Sequence, residues 1–442
     1  MKKRLALAAV LALAAIPVSA NAQLWLSDRR LKEGPGIRVG DLELHPALGG
    51  EVGYDSNYSL RAPSEDPDPK YRLKITPAFS VSSLGRQRRL VEIDKPPMVM
   101  FDATAYATYH AVFAAGADNS REDSKTQQHV DGGASLLVRL GYRRPLGGDL
   151  GIDYQHFSER SNLPGESNAF DRGSVRVTPG ITWMPGGGLF EWRVGYEFMY
   201  SYFVAAQFAR LEHVDHALVT RGRWRFLPRT ALLYDASYRY IGYTHESGPA
   251  NGDVVRARVG LNGLVLPRLA LLAMGGWTSS FYDEKADSAR RNADNFLVHV
   301  EAKYFVLAPP SLDAAAGETP SATTGLSTVA LGYTRELTNS YLNSYAQVDR
   351  GYLRALYFLG GAFAASVTGG FSHVRYPASP LYGAFSQNRV DARLFAEYRF
   401  SDSFGLNATA LFDKNMSEPL RPPTEDLDYT RWQVYLGARW FM

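Results

Sequence analysis

Residues 389–400 read Arg389-Val390-Asp391-Ala392-Arg393-Leu394-Phe395-Ala396-Glu397-Tyr398-Arg399-Phe400. The even positions carry Val, Ala, Leu, Ala, Tyr and Phe; the odd ones carry Arg, Asp, Arg, Phe, Glu and Arg. A period of two is the side-chain period of a β-strand, so this stretch predicts a ribbon with one apolar and one charged face. The pattern recurs. Phe296, Val298, Val300, Ala302 and Tyr304 alternate with His299, Glu301 and Lys303. Val255, Ala257, Val259 and Leu261 alternate with Arg256, Arg258 and Asn262, and Leu73, Ile75, Pro77, Phe79 and Val81 with Arg72, Lys74, Thr76 and Ser80.

A soluble sandwich also alternates, so three further features decide the class. The ribbons are many and nearly evenly spaced, and their apolar faces often end in Tyr, Trp or Phe, as interfacial girdles do. The chain also opens with Lys2-Lys3-Arg4, an apolar run Leu5 to Ile16, Pro17 and Ala20-Asn21-Ala22, which predicts a secretory signal peptide over 1–22. No later apolar run approaches the 18 residues of a membrane helix. Strands that cross lipid must pair every backbone group, which requires closure into a barrel.

Composition narrows the chemistry. Of 442 residues 45% are hydrophobic, which excludes wholesale disorder. Zero cysteines exclude disulfides, iron–sulfur clusters, Cys-ligated zinc, a thiol nucleophile and a lipoprotein anchor. The 48 basic and 45 acidic residues become 45 of each once Lys2, Lys3 and Arg4 are removed, so the formal +3 is no argument for nucleic acid.

Candidate strands centre near Leu48, Phe79, Thr104, Leu136, Ile152, Val177, Val194, Leu218, Ser237, Val259, Met274, Val298, Leu331, Gln347, Val367, Arg393, Ala408 and Val434. The expectation is an all-β, antiparallel up-and-down transmembrane barrel of about 18 strands, with 16 as the alternative, over residues 36–442. Residues 23–35 precede it as a periplasmic segment. Alternate connections are long and polar (Asn57–Lys70, Ala114–Gln127, Glu159–Asp171, His245–Asp253, Asp283–Asn292, Pro377–Gln387, Lys414–Asp428), as external loops are. The others are tight and rich in Gly or Pro, such as Pro185 to Gly188, Leu227-Pro228-Arg229 and Leu266-Pro267-Arg268. Gly85–Pro97 and Ala308–Gly325 are too long for that pattern and predict either periplasmic protrusions or a slipped register. The last strand, Trp432 to Met442 in alternation, resembles the terminal signal read by the barrel-insertion machinery, with Met where Phe is usual.

Gly40-Asp41-Leu42-Glu43-Leu44-His45-Pro46-Ala47-Leu48, followed by Gly53-Tyr54-Asp55-Ser56-Asn57, resembles the opening of a family of outer-membrane β-barrel porins whose members include exopolysaccharide-export barrels. The apolar-x-Pro-x-apolar element recurs around Pro77 and Pro179, where a missing ladder bond or a bulge is expected because proline cannot donate. The resemblance implies a large monomeric barrel, polysaccharide as substrate, and periplasmic or inner-membrane export proteins as partners. It carries no catalytic residues.

No phosphate loop, nucleophile elbow or HExxH motif occurs. No catalytic, cofactor or metal site is expected. The one local cluster, His213, Asp215 and His216, divides between two faces and reads as a polar strand end. The charged faces carry more. Arg221, Arg223 and Arg225 share a face, and Asp235, Arg239, Arg256, Arg258, Glu301, Arg389, Asp391, Arg393, Glu397, Arg399, Arg431 and Arg439 occupy the corresponding faces of other strands. A charge facing mid-bilayer lipid costs about 2–4 kcal/mol, so these residues are expected to line the lumen. They would form an internal salt-bridge lattice, a basic pore lining, or both. The functions that follow are polysaccharide translocation across the Gram-negative outer membrane, which rests on the resemblance; a general or anion-preferring diffusion porin; and a closed structural barrel.

Overall fold

The computed structural model describes residues 35–83, 98–115, 127–141, 144–159, 170–284, 292–306, 327–340, 345–359, 362–378, 383–418 and 427–442. The expected signal peptide, most of the 23–35 segment, and all of 85–97 and 308–325 lie outside these residues. In chain order the strands are β1 (Ile37–Val39), β2 (Leu42–Asp55), β3 (Lys70–Ser83), β4 (Val99–Ala114), β5 (Gln127–Leu140), β6 (Leu146–Glu159) and β7 (Phe170–Trp183). Next come β8 (Phe190–Phe203), β9 (His213–Leu227), β10 (Thr230–Tyr243), β11 (Gly252–Leu266), β12 (Leu269–Tyr282) and β13 (Ala293–Phe305). The last six are β14 (Thr328–Asn339), β15 (Tyr345–Leu359), β16 (Phe363–Tyr376), β17 (Phe385–Ser401), β18 (Phe404–Ser417) and β19 (Tyr429–Phe441).

From β2 to β19 each strand pairs antiparallel with the next, and β19 pairs with β2 from Gln433↔Asp55 to Phe441↔Ala47. The result is a closed barrel of eighteen strands. All eighteen expected centres fall inside barrel strands. The short β1 folds back on the start of β2, below the end of β19. The hairpins β3–β4 and β13–β14 pair in register, so the two over-long connections do not mark a slip.

Closure explains which side chains are exposed. The exposed large apolar residues belong to one face of each strand: Leu218, Trp224 and Phe226 on β9, Val255, Val259 and Leu261 on β11, Leu394, Tyr398 and Phe400 on β17. An outward apolar band is the condition for residence in lipid, and its aromatic edges form two girdles. At the tight-turn end Trp183 packs on Phe190, Trp224 on Phe226, and Phe400 on both Tyr398 and Phe404. At the loop end Tyr54 packs on Tyr71 and Trp432, and Trp277 on Phe296. The chain is therefore built as a membrane-spanning β-barrel.

The prolines sit where one ladder is interrupted. Pro46 lies between the stretches of β2 paired to β1 and to β19. The β3–β4 ladder omits Thr76 and Pro77, and the β7–β8 ladder omits Thr178 and Pro179. Each proline keeps its partner on the other side. The missing N–H therefore removes one bond without opening the wall.

Two loops fold inward. In the 56–69 loop Tyr58 and Ala62 are buried, and the Arg72 guanidinium on the inner face lies 5.3 Å from the Tyr58 ring centre. In the 204–212 loop, a 3₁₀ helix (Ala206–Leu211) buries Phe208 and Leu211 against Phe203. Both loops cap the same end of the barrel.

Candidate functional site: the arginine-rich inner wall

The face opposite the apolar band is built of charged side chains that answer one another across neighbouring strands. Antiparallel pairing sets residues of the same face side by side, so a cation meets an anion on its own strand or on one up to three strands away. Arg223 of β9 bonds Glu191 of β8 at 2.9 Å. Arg239 of β10 reaches both Glu197 and Asp215 at 2.9 Å. Asp235 accepts from Arg258 at 3.1 Å, and Glu336 of β14 is shared by Arg256 at 3.3 Å and Arg258 at 3.7 Å.

The second half of the wall repeats this. Glu301 of β13, almost fully buried, accepts from the Tyr352 hydroxyl at 2.7 Å and from Arg354 at 3.0 Å, with Lys303 at 3.3 Å. Glu397 of β17 is held between Arg399 at 2.6 Å and Arg439 at 3.0 Å. Asp391 takes two hydrogen bonds from Arg350, Arg389 and Asp413 form a two-point pair, and Arg431 binds Asp55 through two nitrogens, at 2.9 and 2.5 Å. Asp55 is fully buried and also takes bonds from Arg72 at 3.3 Å and Gln433 at 3.0 Å. A buried carboxylate with this many charged donors recovers the hydration it gives up.

Twelve of the fifteen residues expected on the inner face hold ion pairs there; Arg221 and Arg393 stand apart. Both are exposed, and among the described residues no carboxylate lies within 4.0 Å of either. Arg225 follows Arg223 on the same face of β9, nearer the tight-turn end. The partners Asp55, Glu191, Glu197, Glu336, Arg350, Arg354 and Asp413 were absent from the expected set. Their signal is clear at Glu191, Glu197 and Arg354, which lie between apolar neighbours, and weak at Arg350, between Asp349 and Gly351, and at Glu336, which follows Arg335.

One recess stands out on this wall. A cavity of about 840 Å³ lies against β14 to β19 on the inner side. Arg350, Arg389, Arg393 and Arg431 line it, with Asp391 and Asp413, the hydroxyls of Thr338, Thr368 and Ser372, and an apolar part formed by Val348, Val374, Tyr376 and Leu411. Its two carboxylates already serve Arg350 and Arg389, and Asp55 serves Arg431. Arg393 is left as an uncompensated charge facing the space.

The His213, Asp215 and His216 cluster does not converge. His213 Nδ1–H donates to the Leu211 carbonyl at 2.8 Å and its Nε2 lies 3.9 Å from Asp215, which binds Arg239, while His216 meets the Tyr196 hydroxyl on the outer face at 2.5 Å. A different trio does converge. His110, His129 and Asp131 bring their donor atoms within 4.8 Å of one another on the inner face of β4 and β5.

No protein-family model matches the chain, so the resemblance to polysaccharide-export barrels finds no support there. No curated protein matches it either. Among solved structures it is similar to OccAB4 of Acinetobacter baumannii, with 11% identity, a TM-score of 0.45, and 90% of this chain and 98% of that one covered. It is also similar to OpdK of Pseudomonas aeruginosa with vanillate (13%, 0.47, 90% and 98%) and to OprD of the same organism (11%, 0.44, 93% and 97%). At these values the likeness carries no argument. The barrel rests on its own strand pairing.

Proposed function

We propose that this barrel is a passive porin for small solutes with a preference for anions. The observation that carries this reading is the recess beside Arg393. A volume of about 840 Å³ falls in the range of small-molecule sites, roughly 300–1,000 Å³, and is bounded by residues of six strands. Its charge balance favours an anion, because the carboxylates present are taken up by other arginines while Arg393 is not. Its apolar side suits a solute with a small hydrocarbon body. The inward folding of the 56–69 and 204–212 loops supports a mouth built for small molecules rather than a polymer strand.

Salt bridges elsewhere on the wall stiffen it, and the surplus arginines give a path of favourable potential for anions. Reconstitution into liposomes tests the reading. Small carboxylates should enter faster than neutral solutes of equal size, and neutral solutes faster than cations. Equal rates for all three, or no entry at all, would reject it. Loss of surface polysaccharide on deletion of the gene, with small-solute permeability unchanged, would reinstate polysaccharide export instead.

A further inference from the structure

We propose that His110, His129 and Asp131 form a binding site for a divalent transition-metal ion of the zinc class, on the inner wall near the loop end of the barrel. The site rests on wall geometry alone and is independent of what crosses the pore. His110 and His129 are directly opposed across the β4–β5 ladder, and their rings stack with centroids 4.4 Å apart and planes 7° from parallel. Asp131, two residues beyond His129 and so on the same face, places Oδ2 3.0 Å from Nε2 of His110. The neighbours that alternate with them, Phe113 and Val130, are exposed on the outer face, which fixes the trio inside.

The donor set selects the metal. Two imidazoles and one carboxylate suit zinc, nickel or copper; calcium and magnesium require several oxygen ligands. Tetrahedral bonds about 2.0 Å long need donor atoms about 3.3 Å apart. His110 and Asp131 already lie close to that spacing, and all three residues offer donor atoms within 4.8 Å of one another, so closing the site requires only that His129 approach the other two. Three protein ligands leave a position for water or a solute anion, as in open zinc sites.

The surroundings orient these ligands. The Ser158 amide donates to Asp131 Oδ1 at 2.9 Å, which turns Oδ2 toward the histidines. Arg72 Nη2 lies 3.4 Å from His110 Nδ1. A guanidinium has only donors, so without metal Nδ1 accepts and the ring proton sits on Nε2, facing Asp131. Metal on Nε2 moves that proton to Nδ1 and ends the Arg72 contact. Arg72 retains Asp55 and the Tyr58 ring, and Lys74, in register with His110, lies 3.7 Å from the Tyr435 ring centre. Both nearby cations are thus engaged elsewhere.

The test uses tag-free, full-length protein folded in detergent and stripped with chelator. Titration with Zn²⁺ in a calorimeter should give one saturable site per chain, with no heat from Ca²⁺. His129→Ala, checked for the folded-barrel mobility on an unheated gel, should weaken Zn²⁺ binding at least tenfold. Unchanged affinity in that variant, or no saturable site in the parent, would overturn the proposal. X-ray absorption at the zinc edge of the loaded parent protein needs no variant: two imidazole nitrogens at about 2.0 Å support the site, and an oxygen-only or single-imidazole shell overturns it.

Discussion

Arg393 and Leu394 are neighbours in sequence and live in opposite solvents. Arg393 faces the inner recess without a carboxylate within ion-pair distance among the described residues, while Leu394 is about half exposed on the outer wall. Arg393→Glu should therefore leave the barrel folded and shift the reversal potential under a salt gradient toward cations, by the removal of one positive and the addition of one negative charge. An unchanged reversal potential would mean that current does not pass this recess. Leu394→Arg should do the reverse: it should leave selectivity nearly alone and cost about 2–4 kcal/mol of stability if the residue is near mid-bilayer, read as a lower midpoint of urea unfolding in lipid vesicles. Asp55 belongs to the same scale. It is fully buried and holds Arg431, Arg72 and Gln433 together. Asp55→Asn keeps the shape but strands two arginines, and should destabilise the barrel by roughly 3 kcal/mol, since an unpaired buried charge keeps its desolvation cost.

At the scale of the strand pair, the seam where β19 meets β2 decides whether the sheet closes. Gly53 stands opposite Tyr435, which is almost fully buried. A methyl group at Gly53 would come to 2.2 Å from the Tyr435 ring and 2.6 Å from the Val434 carbonyl. Because one of those atoms is backbone, the seam itself must shift. Gly53→Ala should cost about 1–3 kcal/mol, the usual range for overpacking, and slow folding into vesicles; a variant of normal stability would show that the seam shifts at no cost. The strands themselves were legible in the sequence because a two-sided environment imposes a period of two on every one of them, and the residues from Arg389 to Phe400 display it without interruption. Prolines at 46, 77 and 179 were legible for a related reason, since their chemistry demands a gap in one ladder. Pairing was not legible. That Arg239 serves Glu197 and Asp215, or that His110 meets His129 across a loop, depends on register and stagger, which alternation leaves open. The inward turn of Phe208 and Tyr58 was hidden likewise, because an apolar residue in a polar loop carries no period.

For the whole molecule, the neutral balance of the chain beyond residue 22 and the basic recess are two different quantities. A sequence with equal numbers of acids and bases can still present an anion path, because the carboxylates lie at fixed partners while some guanidiniums do not. Such a path is electrostatic, and water in the lumen screens it. The Debye length is about 10 Å at 0.1 M salt and about 3 Å at 1 M. Charges on the inner wall therefore act on a passing ion across much of the lumen in dilute salt, and only at contact in concentrated salt. The anion-to-cation permeability ratio, measured from reversal potentials in planar bilayers, should exceed one at 0.1 M KCl and fall toward one at 1 M. A solute held in the proposed recess would contact Arg393 directly, so the recess should behave differently. Block of the current by a small carboxylate should survive at high salt in the parent and be lost with Arg393→Ala. A selectivity that stays flat across this salt range would place the filter in a narrow contact rather than in the wall's field, and a block indifferent to Arg393 would remove the recess from the path.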